Sequence, residues 1–142
     1  MITKLASISS AAAADLVRIA IGEAERNGWS VAVCVTDPHG AILAAQRMDQ
    51  ATPPILDFAR DKAMTAATMR KSTQAFAERM ASSPSLTLGL STRQGLLAWG
   101  GGLPIVADGA VVGGIGVSGA RDHEDIACAE QALTALGMGW QV

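Results

Sequence analysis

Three charged residues in this chain have types and spacing that could hold and transform a small carboxylate. Arg47 and Asp49 stand together at the end of an apolar run, and Lys62 falls on the apolar side of a helical pattern between Ile55 and Ala66. A guanidinium and an ammonium at one pocket mouth would receive a carboxylate. Asp49 would orient Arg47 or act as a general base. The alternative is an Arg–Asp pair that ends a strand and a lysine whose ammonium reaches water.

A second candidate group is the glycine triplet Gly100, Gly101 and Gly102 with Pro104 shortly after it. Bare backbone offers N–H groups to an anion and room for a flat ring. The same triplet would also serve as a bend between strands, so both interpretations stay open. A phosphate loop is not expected, because no Gly-Lys-Ser/Thr follows.

Two histidines are the candidate metal ligands. His39 lies in a predicted turn, and His123 lies in the first turn of the last predicted helix, where the helix dipole disfavours a positive charge. Either one is equally compatible with a solvent-exposed position. Cys34 and Cys128 are expected to be buried and reduced. Because the chain has no Cys-x-x-Cys motif, a structural zinc site is not expected.

The elements that must position these residues follow from periodicity and turn signals. Asp108-Gly109 favours a two-residue hairpin turn, and Asp122 with Asp125 resembles a capping box. Tight turns make the strands antiparallel, and the helices cover the sheet, which predicts an α+β sandwich. Residues 86–94 show no clear pattern. The predicted elements are a helix from Ser9 or Ser10 to Asn27, strands over 29–36 and 41–48, helices over 53–72 and 74–80, a short strand over 96–99, a hairpin over 100–119 and a helix over 122–136.

Length and composition limit the function classes. The 142 residues suit one domain spanning 1–142. The net charge of −2, with basic residues clustered only at Arg70-Lys71, argues against nucleic acid as a partner. No stretch reaches the ~18 apolar residues of a membrane span, and the start lacks the apolar core of a signal peptide. A cytoplasmic protein without membrane or nucleic-acid partners is expected.

Three stretches together resemble a known family. They are residues 37–49, where Asp-x-x-Gly ends in Arg-Met-Asp, the helix over 62–67, and residues 101–119 followed by Asp125. In order and spacing they are similar to the GlcG/HbpS-like haem-binding family, which includes the C-terminal domain of PduO-type corrinoid adenosyltransferases. The resemblance covers residues 5–136. It implies a profilin-like α+β fold with a central antiparallel sheet, and homo-oligomers built from dimers, commonly octamers. It also implies binding of haem or related tetrapyrroles in some members, and genes beside catabolic genes.

The first functional hypothesis is a homo-oligomeric protein that binds haem or another flat carboxylated ligand. Arg47 and Lys62 would hold its carboxylates, and the glycine triplet would line the cavity. Family members that hold haem through histidine use one near the N-terminal helix, whereas here no histidine precedes His39. Iron contact therefore falls to His39 or His123, with Met48 or Cys34 as substitutes.

Two further hypotheses remain. One is an isomerase, tautomerase or hydratase acting on a small carboxylated catabolic metabolite, in which Arg47 holds the carboxylate and Asp49 or Lys62 moves protons. The other is a purely structural assembly protein. Ligand binding to the native state raises the melting temperature and would separate the last hypothesis from the other two.

Overall fold

Two antiparallel hairpins pair side by side to make the sheet. In the computed structural model, which describes all 142 residues, the first hairpin is β1 (Ala32–Thr36) and β2 (Ile42–Arg47). The second is β3 (Gly102–Ala107) and β4 (Ala110–Ser118), and the strand order is β2-β1-β4-β3 with every pair antiparallel. The predicted α+β class, with a central antiparallel sheet flanked by helices, is confirmed.

Both hairpin turns have the chemistry that their sequences predict. In the first, a carboxylate oxygen of Asp37 accepts the N–H groups of His39 and Ala41 at 2.8 and 3.0 Å. In the second, Asp108 and Gly109 both have positive φ, 51° and 76°. Two such residues in succession match the right-handed twist of the flanking strands. The turns therefore fix the register of both hairpins.

Two helices cover one face of the sheet. They are α1 (Ser10–Asn27) and α5 (Asp122–Ala135), and with the sheet they enclose a core of 19 buried apolar residues. The hydroxyl of Ser9 caps α1 by accepting the N–H of Ala12, and Gly28 ends it at φ 73°. Both ends agree with the predicted helix.

The long helix α2 (Pro53–Met69) covers the opposite face and lies unusually close to the sheet. A side chain on Gly116 would collide with the carbonyl oxygen of Ala59, and one on Gly114 would collide with that of Ala63. The glycines of β4 therefore let the backbone of α2 rest on the strand. This close approach fixes the height of Lys62 above the sheet.

The region after α2 departs most from prediction. It forms α3 (Thr73–Met80) and α4 (Pro84–Leu90), and α4 falls where residues 86–94 showed no pattern. The predicted strand over 96–99 is wrong. The N–H of Leu97 donates to the hydroxyl of Thr65 at 3.0 Å, so this segment is held by α2 instead of by a neighbouring strand.

The capping contact at the start of α5 lies one residue before the predicted Asp122 and Asp125 pair. The N-cap is Arg121, and its N–H donates to Glu124 at 3.1 Å. Asp122 accepts the N–H of Gly100 at 3.2 Å, and Asp125 accepts that of Ala120 at 3.0 Å. Both aspartates therefore tie the helix to neighbouring loops. No helix of the structure combines the length and apolarity that crossing a bilayer requires.

Candidate functional site

Lys62 is fully buried and forms an ion pair with Asp125. Its Nζ lies 3.2 Å from Oδ2 of Asp125 and donates to the carbonyl oxygen of Val117 at 2.9 Å. The side chains are 0% and 2% exposed. The ring centroid of Trp99 lies 5.9 Å from the ammonium, within the range of a cation–π contact. The unexpected cation on the apolar side of α2 is thus neutralised inside the protein.

Burial shifts the pKa values of both partners toward their neutral forms. Desolvation lowers the pKa of Lys62 below its ordinary 10.5, and the negative charge of Asp125 opposes that shift. Desolvation likewise raises the pKa of Asp125 above 3.8, opposed by Lys62 and by the N–H of Ala120. Each charge offsets part of the desolvation cost of the other, so loss of either group would leave the other charge buried without compensation.

The predicted convergence of Arg47 and Lys62 on one cavity is wrong. Arg47 is exposed and donates to the carbonyl oxygen of Ala51. It shares a shallow depression of about 310 Å³ with Asp49, and Lys62 does not line that depression. Lys62 is enclosed by protein, so a substrate has no access to it. The version of the isomerase, tautomerase or hydratase hypothesis that uses Lys62 is therefore not assembled, whereas Arg47 and Asp49 do lie together in the depression.

The glycine triplet packs against side chains on its inner side. A side chain on Gly100 would meet Ile126 at 2.9 Å, and one on Gly101 would meet the Nζ of Lys62 at 2.6 Å. The N–H of Gly102 donates to the hydroxyl of Thr73 at 2.9 Å. Gly101 and Gly102 nonetheless line a surface depression, whereas Gly100 and Pro104 are buried outside it. Pro104 lies in the edge strand β3, where its missing N–H costs no ladder bond.

The two histidines differ in their surroundings. His39 is exposed and lines a depression of about 600 Å³, called here the histidine depression, whereas His123 is exposed on α5 outside it. The substitute iron ligands are less accessible. Burial raises the pKa of the Cys34 thiol to about 12, and the sulfur of Met48 accepts the N–H of Val31 at 3.3 Å. No three side chains of the metal-binding types cluster anywhere in the structure.

Two depressions share Arg70, a residue that the sequence interpretation did not select. Arg70 ends α2 in the left-handed conformation, at φ 57°. The histidine depression adds His39 and Lys4 to it, and a second one of about 480 Å³, called here the glycine-floored depression, adds Lys71 and Gly101. The signal for these cations was the Arg70-Lys71 pair, the one place where basic residues cluster.

The chain matches one family model over most of its length. The model described as haem degrading protein HbpS-like matches residues 8–134. The chain belongs to the HbpS-like family. This membership confirms the resemblance drawn from the Asp37, Lys62 and Gly101 stretches.

Several curated relatives match most of the chain. GlcG of Escherichia coli K12 is 33% identical over 78% of this chain and 81% of its own length. An uncharacterized 15.0 kDa protein from the dhaT-dhaS intergenic region of Citrobacter freundii is 34% identical over 92% of both chains. The corrinoid adenosyltransferase PduO of Salmonella typhimurium is 30% identical over 88% of this chain and 38% of PduO.

Solved structures of HbpS-like proteins have the same fold. A complex of PduOC with haem superposes with a TM-score of 0.87 at 26% identity, covering 96% of this chain and 99% of PduOC. A double mutant of Streptomyces reticuli HbpS gives 0.87 at 35% identity, covering 96% of this chain and 91% of that protein. One of these relatives was therefore solved with haem bound.

Proposed function

We propose that this HbpS-like chain binds haem, or another flat molecule with carboxylates, in the histidine depression. The observation that carries the proposal is the position of His39. It is the one histidine of the two that lines a depression of ligand size, and it lies there with the cations Lys4 and Arg70.

The lining residues fit the three parts of a haem molecule. An imidazole is a common axial ligand of haem iron, and His39 is exposed. Two cations suit two propionates, since guanidinium and ammonium groups form charge-assisted hydrogen bonds with carboxylates. Leu5, Ala67 and Val111 supply apolar contact for the ring. The volume of about 600 Å³ falls inside the range of roughly 300–1,000 Å³ typical of small-molecule sites.

Family membership supports the same ligand. The description of the family names haem, and the PduOC structure was solved as a haem complex. The family alone does not identify the residues that would hold haem in this chain. The proposal therefore assigns the iron contact to His39 and a propionate contact to Arg70.

Haemin titration of the purified protein, followed by the Soret band, tests the proposal. We expect a saturable Soret shift in the wild type and in the matched control His123→Ala. His39→Ala should lose the part of the Soret shift that comes from coordination of the iron by His39. Arg70→Asn, which keeps a residue that tolerates positive φ, should weaken binding roughly tenfold or more, the value of one charge-assisted hydrogen bond.

Two outcomes would overturn the assignment. One is a wild-type spectrum identical to that of free haemin. The other is an unchanged Soret shift in His39→Ala together with a lost shift in His123→Ala, which would move the iron contact to α5. Circular dichroism of each variant confirms that it is folded.

A further inference from the structure

The glycine-floored depression is a second cavity with its own chemistry. Lys71 and Arg70 supply positive charge, while Ile126 and Trp140 supply apolar surface. Its volume of about 480 Å³ is in the range of small-molecule sites. Apart from Arg70, none of these four residues lines the histidine depression.

The two glycines of the floor are required by packing on the inner side, away from the cavity. A Cβ on Gly101 would lie 2.6 Å from the Nζ of Lys62, and one on Gly102 would lie 2.6 Å from the side chain of Thr73. The N–H of Gly102 is already taken by the hydroxyl of Thr73. The floor is therefore a strip of backbone without side chains, and Lys71 and Arg70 are the cations beside it that an anion could contact.

The walls are held in place by long-range contacts. Gly139 and Val106 exchange both backbone hydrogen bonds, at 2.8 and 3.0 Å, and this bridge fixes the segment that carries Trp140 beside β3. Ile126 and Glu130 lie one turn apart on α5 and both line the cavity. The cavity thus has a basic end, an apolar wall and one carboxylate.

We propose that the glycine-floored depression binds a small monocarboxylate with a flat apolar body. The carboxylate pairs with Lys71 and Arg70, and the apolar body lies on the glycine floor against Ile126 and Trp140. Glu130 repels a second carboxylate, which selects against dicarboxylates. This site shares Arg70 and Val142 with the histidine depression but differs from it in every other lining residue, and the proposal does not rest on haem binding.

Isothermal titration with phenylacetate and its neutral analogue phenylacetamide tests the site. We expect phenylacetate to bind saturably and phenylacetamide to bind at least tenfold more weakly. Lys71→Gln should weaken phenylacetate binding roughly tenfold, and Lys71→Glu should abolish it. The matched control is Lys4→Gln, which removes a cation from the histidine depression and should leave phenylacetate binding unchanged.

The haemin titration is repeated on Lys71→Gln, so that a failure of the carboxylate site can be distinguished from a failure of the haem site. Unchanged haemin binding with weakened phenylacetate binding supports two sites. Equal affinity for phenylacetate and phenylacetamide, or equal affinity of wild type and Lys71→Gln, would overturn the carboxylate site. Loss of phenylacetate binding in Lys4→Gln would overturn it as well, because the ligand would then lie in the histidine depression.

Discussion

At the scale of single residues, the Lys62–Asp125 pair joins helices that lie on opposite faces of the sheet. The ammonium reaches past the glycine backbone at Gly101 to a carboxylate on α5, with the end of β4 at Val117 between them. A buried ion pair contributes little net stability, because desolvation offsets attraction. Removing one partner is costly, since it leaves the other charge buried without compensation.

The substitution Asp125→Asn should therefore destabilise the protein by about 3–5 kcal/mol at pH 7. Asparagine keeps an oxygen for the N–H of Ala120 but removes the charge that raises the pKa of Lys62. The pKa of Lys62 then falls further below 10.5, so the unfolded chain binds more protons there than the folded one. Stability must rise with pH through that window. Urea unfolding between pH 7 and pH 10 measures this change.

A double substitution is the control for this prediction. Lys62→Met with Asp125→Leu removes both charges, and we expect a free energy of unfolding much closer to the wild type than that of Asp125→Asn. The double variant should also lack the rise in stability with pH, because no buried amine remains to lose a proton. A flat pH profile for Asp125→Asn would contradict the assignment of Lys62 as a buried cation.

The sequence pointed to Lys62 but not to its partner. A cation on an apolar helical stripe is visible from periodicity, whereas Asp125 lies 63 residues away and belongs to another helix. No local pattern connects two elements that meet only through the sheet. For Arg47 and Asp49 the prediction failed differently. The two residues do lie together, as predicted, but they lie apart from Lys62, whose position depends on the packing of α2.

At the scale of elements, the contact between α2 and β4 depends on backbone meeting backbone. The small residues Ala32, Cys34, Ala59 and Ala63 form the buried cluster between this helix and the sheet. Gly116 of β4 lies against the carbonyl of Ala59 with no room for a methyl group. A carbonyl of a regular helix has little freedom to move, so an added side chain must displace the whole helix.

Gly116→Ala should destabilise the protein by about 1–3 kcal/mol or more, through overpacking. Gly89→Ala is the matched control, because Gly89 lies in α4 with open space around its Cα. That substitution should stabilise by up to roughly 1 kcal/mol, since glycine is a poor helix former. Thermal unfolding of both variants should show a lower melting temperature for Gly116→Ala and a slightly higher one for Gly89→Ala. A neutral Gly116→Ala would mean that α2 lies farther from β4.

Prediction of the elements was correct at the two hairpin turns and at both ends of α1, where local chemistry decides the outcome. Asp108-Gly109 needs two positive φ values whatever surrounds it, and Gly28 ends α1 for the same reason. The failures lie where tertiary contacts decide. Leu97 is apolar and strand-like, but its N–H is bound by Thr65 of α2. Helix α4 has no buried residue, so its sequence has no apolar stripe from which a helix could be predicted.

At the scale of the whole molecule, the isolated chain exposes more surface than its mass requires. Its accessible area is 7548 Å² for 14.5 kDa, against about 6,900 Å² expected for a folded monomer of that mass. Exposed apolar side chains contribute, including Ile42 at 53% on the edge strand β2. An exposed edge strand whose first five residues, 42–46, carry no charge leaves unpaired backbone groups that favour pairing with a strand of another copy.

We therefore expect the protein to self-associate, as the predicted homo-oligomer requires, with the β2 edge in the interface. Light scattering coupled to size exclusion should give a mass of at least twice 14.5 kDa. Ile42→Lys should shift the mass toward the monomer, because a lysine on an edge strand opposes pairing. The control Ile2→Lys changes an exposed isoleucine outside the sheet and should leave the mass unchanged. A monomeric mass for the wild type at micromolar concentration would contradict self-association, and an unchanged mass for Ile42→Lys would place the interface elsewhere.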